Sequence, residues 1–168
     1  MPSRFSSAEL EAAITPTVLL RARLVQSALT LGPLLFFVVT AGIAAEPQVS
    51  GGASDDLLTV LSMVNAGLVF AALGAGMVVL TRLREAGLER ATSPEQMVAV
   101  VSRMAILRLA LLEASALFGI VVVLLAAGAG RLQTRPGLWW NAVPLVALIV
   151  TALLTVPSRE RFLRQLES

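Results

Sequence analysis

The chain has 168 residues, of which 57% are hydrophobic and 14% are charged, and its mean hydropathy is +0.83. Ordinary globular domains carry about 25% charged residues, so this composition excludes a typical soluble domain. The sequence contains no His, Cys or Tyr, and all 13 of its basic residues are Arg. These absences exclude disulfides, His- or Cys-ligated metal and haem sites, and Ser–His or Cys–His nucleophiles. We therefore expect no cofactor, no metal and no enzymatic activity.

Four apolar stretches are long enough to cross a bilayer, whose core of about 30 Å needs roughly 20 apolar residues per helix. None of them alternates apolar and polar residues as a membrane β-strand does, and lipid offers the backbone no hydrogen-bond partner. The sequence therefore predicts an all-α membrane protein, a single domain over residues 1–168 built as a four-transmembrane-helix bundle. The spans are expected at about residues 24–45, 57–80, 104–129 and 138–156.

Polar segments on one side are predicted to prolong the helices beyond the bilayer. Thr15 and Ser93 each precede a Pro, which is typical of a helix N-cap followed by Pro at the first helical position. Residues 81–103 are accordingly expected to contain helix extensions. Ser6 and Glu9 have the spacing of a capping box, which predicts a further short helix near the N-terminus.

Two more local features concern the tail and the prolines. Residues 157–168 predict a basic amphipathic helix that lies on the inner leaflet. Pro33 and Pro144 fall within predicted spans, where each is expected to cause a modest kink because proline removes a backbone donor.

The distribution of Arg predicts the orientation. Arg131 and Arg135 are the only two of the 13 arginines in the loops on one side, so 11 lie on the other. The positive-inside rule therefore places both termini and the loop between spans two and three in the cytoplasm, with the protein in a bacterial inner membrane. The net charge of +2 and the pI near 10.9 follow from the same arginines. We expect the lipid bilayer as a partner and no nucleic acid.

Glu113 is the one acidic residue within the apolar spans. A charged carboxylate at this position is costly unless it is paired, hydrated or protonated. Arg21 and Arg23 at the inner end of the first span are candidate ion-pair partners, with Gln26 and Asn65 as hydrogen-bonding neighbours. Two interpretations stay open: an interhelical Glu–Arg clamp that fixes packing, which is favoured, or a proton- or ion-binding carboxylate.

Small residues on the second span predict a helix-packing face. Gly67, Ala71 and Gly74 recur at helical spacing, and small residues allow membrane helices to approach closely. We expect this face to serve self-association or contact with other membrane subunits.

The two halves of the chain also align with one another at an offset of 87 residues. Leu20-Arg21 then meets Leu107-Arg108, and Gly32 meets Gly119. This alignment is consistent with a tandem duplication of a two-helix hairpin, with chance similarity of apolar helices as the alternative.

Two stretches carry a resemblance to uncharacterised small four-helix bacterial membrane proteins. One is the segment from Leu107 to Phe118, and the other is the tail Pro157-Ser158-Arg159-Glu160-Arg161. The resemblance covers most of the chain. It implies a membrane location and no activity, because the family has none assigned.

The hairpin of spans two and three is locally similar to the proteolipid c subunit of rotary ATP synthases. Gly74-Ala75-Gly76, Ser93-Pro94-Glu95 and the run from Ala110 to Val121 carry this similarity. It implies that Glu113 is the proton-carrying carboxylate. The sequence as a whole favours a structural or accessory membrane component, with a proteolipid-like proton- or ion-binding subunit as the alternative.

Overall fold

The computed structural model describes residues 5–46 and 52–167. These residues form helices and turns, and the described ranges contain no β-strand. The fold is all-α, as the sequence predicts. In chain order the helices are α1 (Ser7–Ala13), α2 (Pro16–Ala45), α3 (Asp55–Arg90), α4 (Pro94–Gly128), α5 (Pro136–Leu154) and α6 (Arg159–Glu167).

Four of these helices, α2 to α5, are long and apolar enough to cross a membrane. Each of the four predicted spans overlaps one of these helices, and α2, α3 and α4 extend eight to ten residues beyond the predicted span at one end. The helix starts follow the predicted caps, since the Thr15 side chain accepts a hydrogen bond from the Val18 amide and Ser93 accepts one from the Gln96 amide. The chain is therefore a multi-pass four-helix membrane protein.

Two spans depart locally from α-helical geometry. In α3 a π-helical turn, Ala71–Ala75, separates the α-helical parts Asp55–Phe70 and Gly76–Arg90. In α5 the first seven residues form a 3₁₀ helix, and the α-helical part begins only at Val143. Pro144 therefore lies in the first turn of an α-helix, where its missing N–H costs no hydrogen bond. Pro33 lies inside α2, and the modest kinks expected at Pro33 and Pro144 stay predictions.

Helix α4 is the central element of the bundle. Each of the other five helices packs against it. Half of the residues in its most apolar stretch are buried, compared with 33% in α5, 11% in α2 and 6% in α3. The bundle is thus built around one buried helix, and α2 and α3 present most of their surface outward.

Three hydrophobic clusters follow one another along α4. The first joins α1, the start of α4 and α6, the second lies at the opposite end, and the third fills the middle between α4 and α5. The middle cluster includes Leu109, Leu112, Ile120 and Leu148. We call the end that contains the first cluster the arginine-rich end, because the arginines of α6 and of the last turns of α3 lie there.

The short terminal helices close the arginine-rich end. The Ser6 capping box forms as predicted, and its backbone and hydroxyl hydrogen bonds to the Glu9 carboxylate lower the pKa of Glu9. Arg159 of α6 forms an ion pair with Glu11 of α1 at 3.1 Å. Phe162 and Leu166 are buried in the first cluster. The apolar side of the tail helix thus contacts the protein, where the sequence suggested a leaflet surface.

Candidate functional site

Glu113 lies at the margin of the buried face of α4. Its neighbour Leu112 is buried, Ala114 is exposed, and Glu113 itself is half-buried. Within residues 5–46 and 52–167, no ion pair or hydrogen bond joins its carboxylate to another side chain. The predicted contact with Arg21 or Arg23 is therefore not formed in this structure.

The candidate partners on α2 contact the end of α5 instead. The Arg23 guanidinium donates a hydrogen bond to the Pro157 carbonyl at 3.1 Å, and the Gln26 amide donates one to the Ala152 carbonyl at 2.5 Å. Arg21 is exposed. The structure brings Arg23 and Gln26 together at the C-terminus of α5 and does not bring them to Glu113.

These contacts satisfy backbone groups that a helix end leaves open. The last four carbonyls of a helix have no intrahelical donor, and the partial negative charge at this end attracts cations. Gln26 satisfies Ala152, and the Arg161 guanidinium donates to the Leu154 carbonyl. Side chains of α2 and α6 therefore fix where α5 ends.

A second polar contact joins α3 to α5. The Asn65 amide donates hydrogen bonds of 3.2 Å to both the carbonyl and the side-chain oxygen of Asn141. The Asn141 amide in turn donates to the Ser62 hydroxyl at 2.9 Å and to the Leu138 carbonyl at 3.0 Å. Asn65 is thus an interhelical hydrogen-bonding residue, with Asn141 rather than Glu113 as its partner.

Gly119 of α4 makes this polar contact possible. A Cβ atom built on Gly119 would lie 1.9 Å from the Asn141 carbonyl oxygen and 2.9 Å from the Asn65 amide nitrogen. Both distances are shorter than any side chain tolerates, so the three helices meet only because residue 119 has no side chain. Gly32, its counterpart in the internal alignment, has no atom within 4 Å of such a Cβ.

The predicted packing face of α3 is on the outside of the bundle. Gly67, Ala71 and Gly74 are exposed, and a Cβ on Gly67 or Gly74 would meet no atom within 4 Å. The π-helical turn begins at Ala71. These small residues therefore take no part in packing within one chain.

At the end of the bundle opposite the arginine-rich one, three charged residues meet that the sequence analysis did not bring together. Arg131 and Arg135 lie 3.2 Å and 3.8 Å from the same oxygen of Asp55. Two features of the sequence could have indicated this contact: the acidic first turn of α3, and the loop that carries Arg131 and Arg135. Acidic residues favour a helix N-terminus and attract cations.

The described residues contain no group of three or more His, Cys, Asp and Glu side chains able to hold a metal ion. No family model matches the chain, and no curated protein or solved structure matches it either. The residues described above are therefore the basis for any statement about function.

The close contact at Gly119 leads to a test of the packing. We expect Gly119→Ala to destabilise the bundle by about 1–3 kcal/mol, because the added methyl group forces α4 away from α5. Thermal unfolding in detergent measures the effect, with Gly32→Ala as the matched control in open space. Equal melting temperatures for the two variants would contradict the three-helix contact.

Proposed function

We propose that the protein is a structural or accessory component of a bacterial inner membrane, without enzymatic activity, that acts by association with further membrane helices. The observation that supports this proposal is the exposure of α3, where only 6% of the most apolar stretch is buried. A helix with so few buried residues has most of its surface available for lipid or for a partner.

The small-residue face gives the partner a place to bind. Gly67, Ala71 and Gly74 are spaced four and three residues apart, so they share one side of α3. Membrane helices associate mainly through close packing and interhelical hydrogen bonds, and small residues permit the close approach. We take a second copy of the chain as the first partner to test, with other membrane subunits as the alternative.

Disulfide cross-linking tests this interface directly, because the chain contains no Cys of its own. We expect Ala71→Cys to form a disulfide-linked dimer efficiently in membranes under mild oxidation. The two sulfur atoms meet only if the small-residue faces of two copies approach each other. The measurement is the dimer fraction on non-reducing gels.

Leu73→Cys provides the matched control, since Leu73 is also exposed and lies only two residues away on a different side of α3. The dimer fraction should be several-fold lower for this variant. Similar cross-linking at both positions would indicate random collision and would remove self-association through the small-residue face.

Interhelical polar contacts hold the bundle together in this proposal. Gln26 and the Asn65–Asn141 pair join helices within the spans. Such contacts are each worth about 1 kcal/mol or less in a membrane. A clamp between Glu113 and Arg21 or Arg23 would add to them, and it stays a prediction.

The second candidate function, a proton- or ion-binding subunit, is favoured by one observation. Glu113 is half-buried in a membrane-crossing helix and has no ion-pair partner among the described residues. A charged carboxylate without a partner is costly there, so a bound proton or cation would relieve that cost.

Carbodiimide labelling distinguishes the two functions. Dicyclohexylcarbodiimide reacts with protonated carboxyl groups in apolar surroundings, so a proton-binding Glu113 is expected to be labelled at pH 7. Mass spectrometry locates the label, and Glu113→Gln is the control that should abolish it. A chain that stays unlabelled has an ionised Glu113, which would reject proton binding.

Orientation follows from the charge distribution and needs its own measurement. The proposal places both termini in the cytoplasm, because 11 of 13 arginines lie on the side that carries them. A fluorescent reporter that matures only in the cytoplasm, fused after Ser168, is expected to give a signal. A signal instead from a fused periplasmic phosphatase would contradict the orientation.

A further inference from the structure

A cavity of about 580 Å³ lies at the arginine-rich end of the bundle. It is bounded by the first half of α2, the last turns of α3, the first half of α4, the end of α5 and helix α6. Its lining includes four guanidinium groups, those of Arg84, Arg108, Arg161 and Arg164. None of the described residues that line it is acidic. The described lining of the cavity therefore combines several positively charged side chains with no acidic one.

The four arginines divide into two that are held by backbone and two that are exposed. Arg84 donates to the Gln165 carbonyl and Arg161 to the Leu154 carbonyl. The Leu154 carbonyl orients the Arg161 guanidinium without neutralising its charge. Arg108 and Arg164 are exposed, and no described carboxylate forms an ion pair with either.

The other part of the cavity wall is apolar and belongs to the membrane-crossing segments. Leu80 and Leu109 are buried, whereas Met77 and Leu154 are 48% and 66% exposed. From Met77 to Arg84 the wall changes from apolar to charged over about 10 Å of helix. The cavity is thus continuous with the surface that faces lipid.

From this arrangement we infer that the cavity is a binding site for an anionic phospholipid of the surrounding leaflet. The phosphate contacts Arg108 and Arg164, and an acyl chain follows the apolar wall past Met77 and Leu154. Guanidinium groups bind phosphate oxygens through paired N–H donors. The occupant is a lipid rather than a soluble anion because the charged part opens onto an apolar wall at the membrane.

This site differs from the general attraction of basic residues to membranes. Arg103 lies on the same helix as Arg108 and is also exposed, yet it does not line the cavity. The offset of five positions rotates the side chain by about 140° around the helix. A diffuse electrostatic effect treats the two positions alike, whereas the cavity distinguishes them.

Binding of phosphatidylglycerol to the purified chain in neutral detergent, followed by native mass spectrometry, tests the site. Each lining arginine near the membrane surface is worth about a fivefold change in affinity. We therefore expect Arg108→Gln to weaken binding by about fivefold, the double variant with Arg164→Gln to weaken it further, and Arg103→Gln to change it little.

Two further measurements complete the experiment. Phosphatidylcholine, which has the same phosphate but no net charge, and inorganic phosphate should both bind far more weakly than phosphatidylglycerol. Ala105→Phe keeps every charge while filling the apolar part of the cavity, and it should also weaken binding. If the double Arg variant fails to fold, lipid binding by Ala105→Phe still tests the site. Equal losses for Arg103→Gln and Arg108→Gln, unchanged binding by Ala105→Phe, or equal binding of inorganic phosphate would overturn the inference.

Discussion

Helix α4 determines the arrangement of the whole bundle, because each of the other helices packs against it. Apolar burial cannot drive this packing within a bilayer, since lipid chains are as apolar as the helix surfaces. Close van der Waals contact takes its place. A Cβ atom on Gly119 would lie 1.9 Å from the Asn141 carbonyl oxygen. The missing side chain therefore lets Asn141 and Asn65 meet beside α4. The middle of the bundle therefore depends on the absence of a side chain at one residue.

Hydrogen bonds between polar groups also join the helices, in the middle of the bundle and at its arginine-rich end. In the middle, Asn65 and Asn141 bind each other, so neither donor is left open to lipid. At the arginine-rich end, Gln26 and Arg161 satisfy carbonyls at the C-terminus of α5. A polar side chain in a span is stable where it finds a partner on another helix. Among the described residues, the buried hydroxyls of Thr40 and Ser115 and the Glu113 carboxylate have no such partner. Glu113 is the only one of these three that is ionisable, so it remains the residue of chemical interest.

The sequence predicts those features that depend on local composition. The four spans follow from apolar length, and the caps at Thr15 and Ser93 follow from residue type and spacing. The partners of Gln26 and Glu113 could not be predicted in this way, because they depend on how each helix is rotated about its axis. Gly32 and Gly119 illustrate the same limit, since they align in sequence but only Gly119 lies against another helix.

The arginines at the two ends of the bundle have different binding partners. At one end Asp55 lies within ion-pair distance of both Arg131 and Arg135, so much of the positive charge there is compensated. At the arginine-rich end, Arg82 and Arg159 lie within ion-pair distance of Glu85 and Glu11. Arg23 and Arg161 are held there by backbone carbonyls, which leave their charge in place. An asymmetry of this kind favours one orientation in the membrane and attracts anionic lipid to the same side. The proposed orientation and the inferred lipid site therefore rest on one charge distribution.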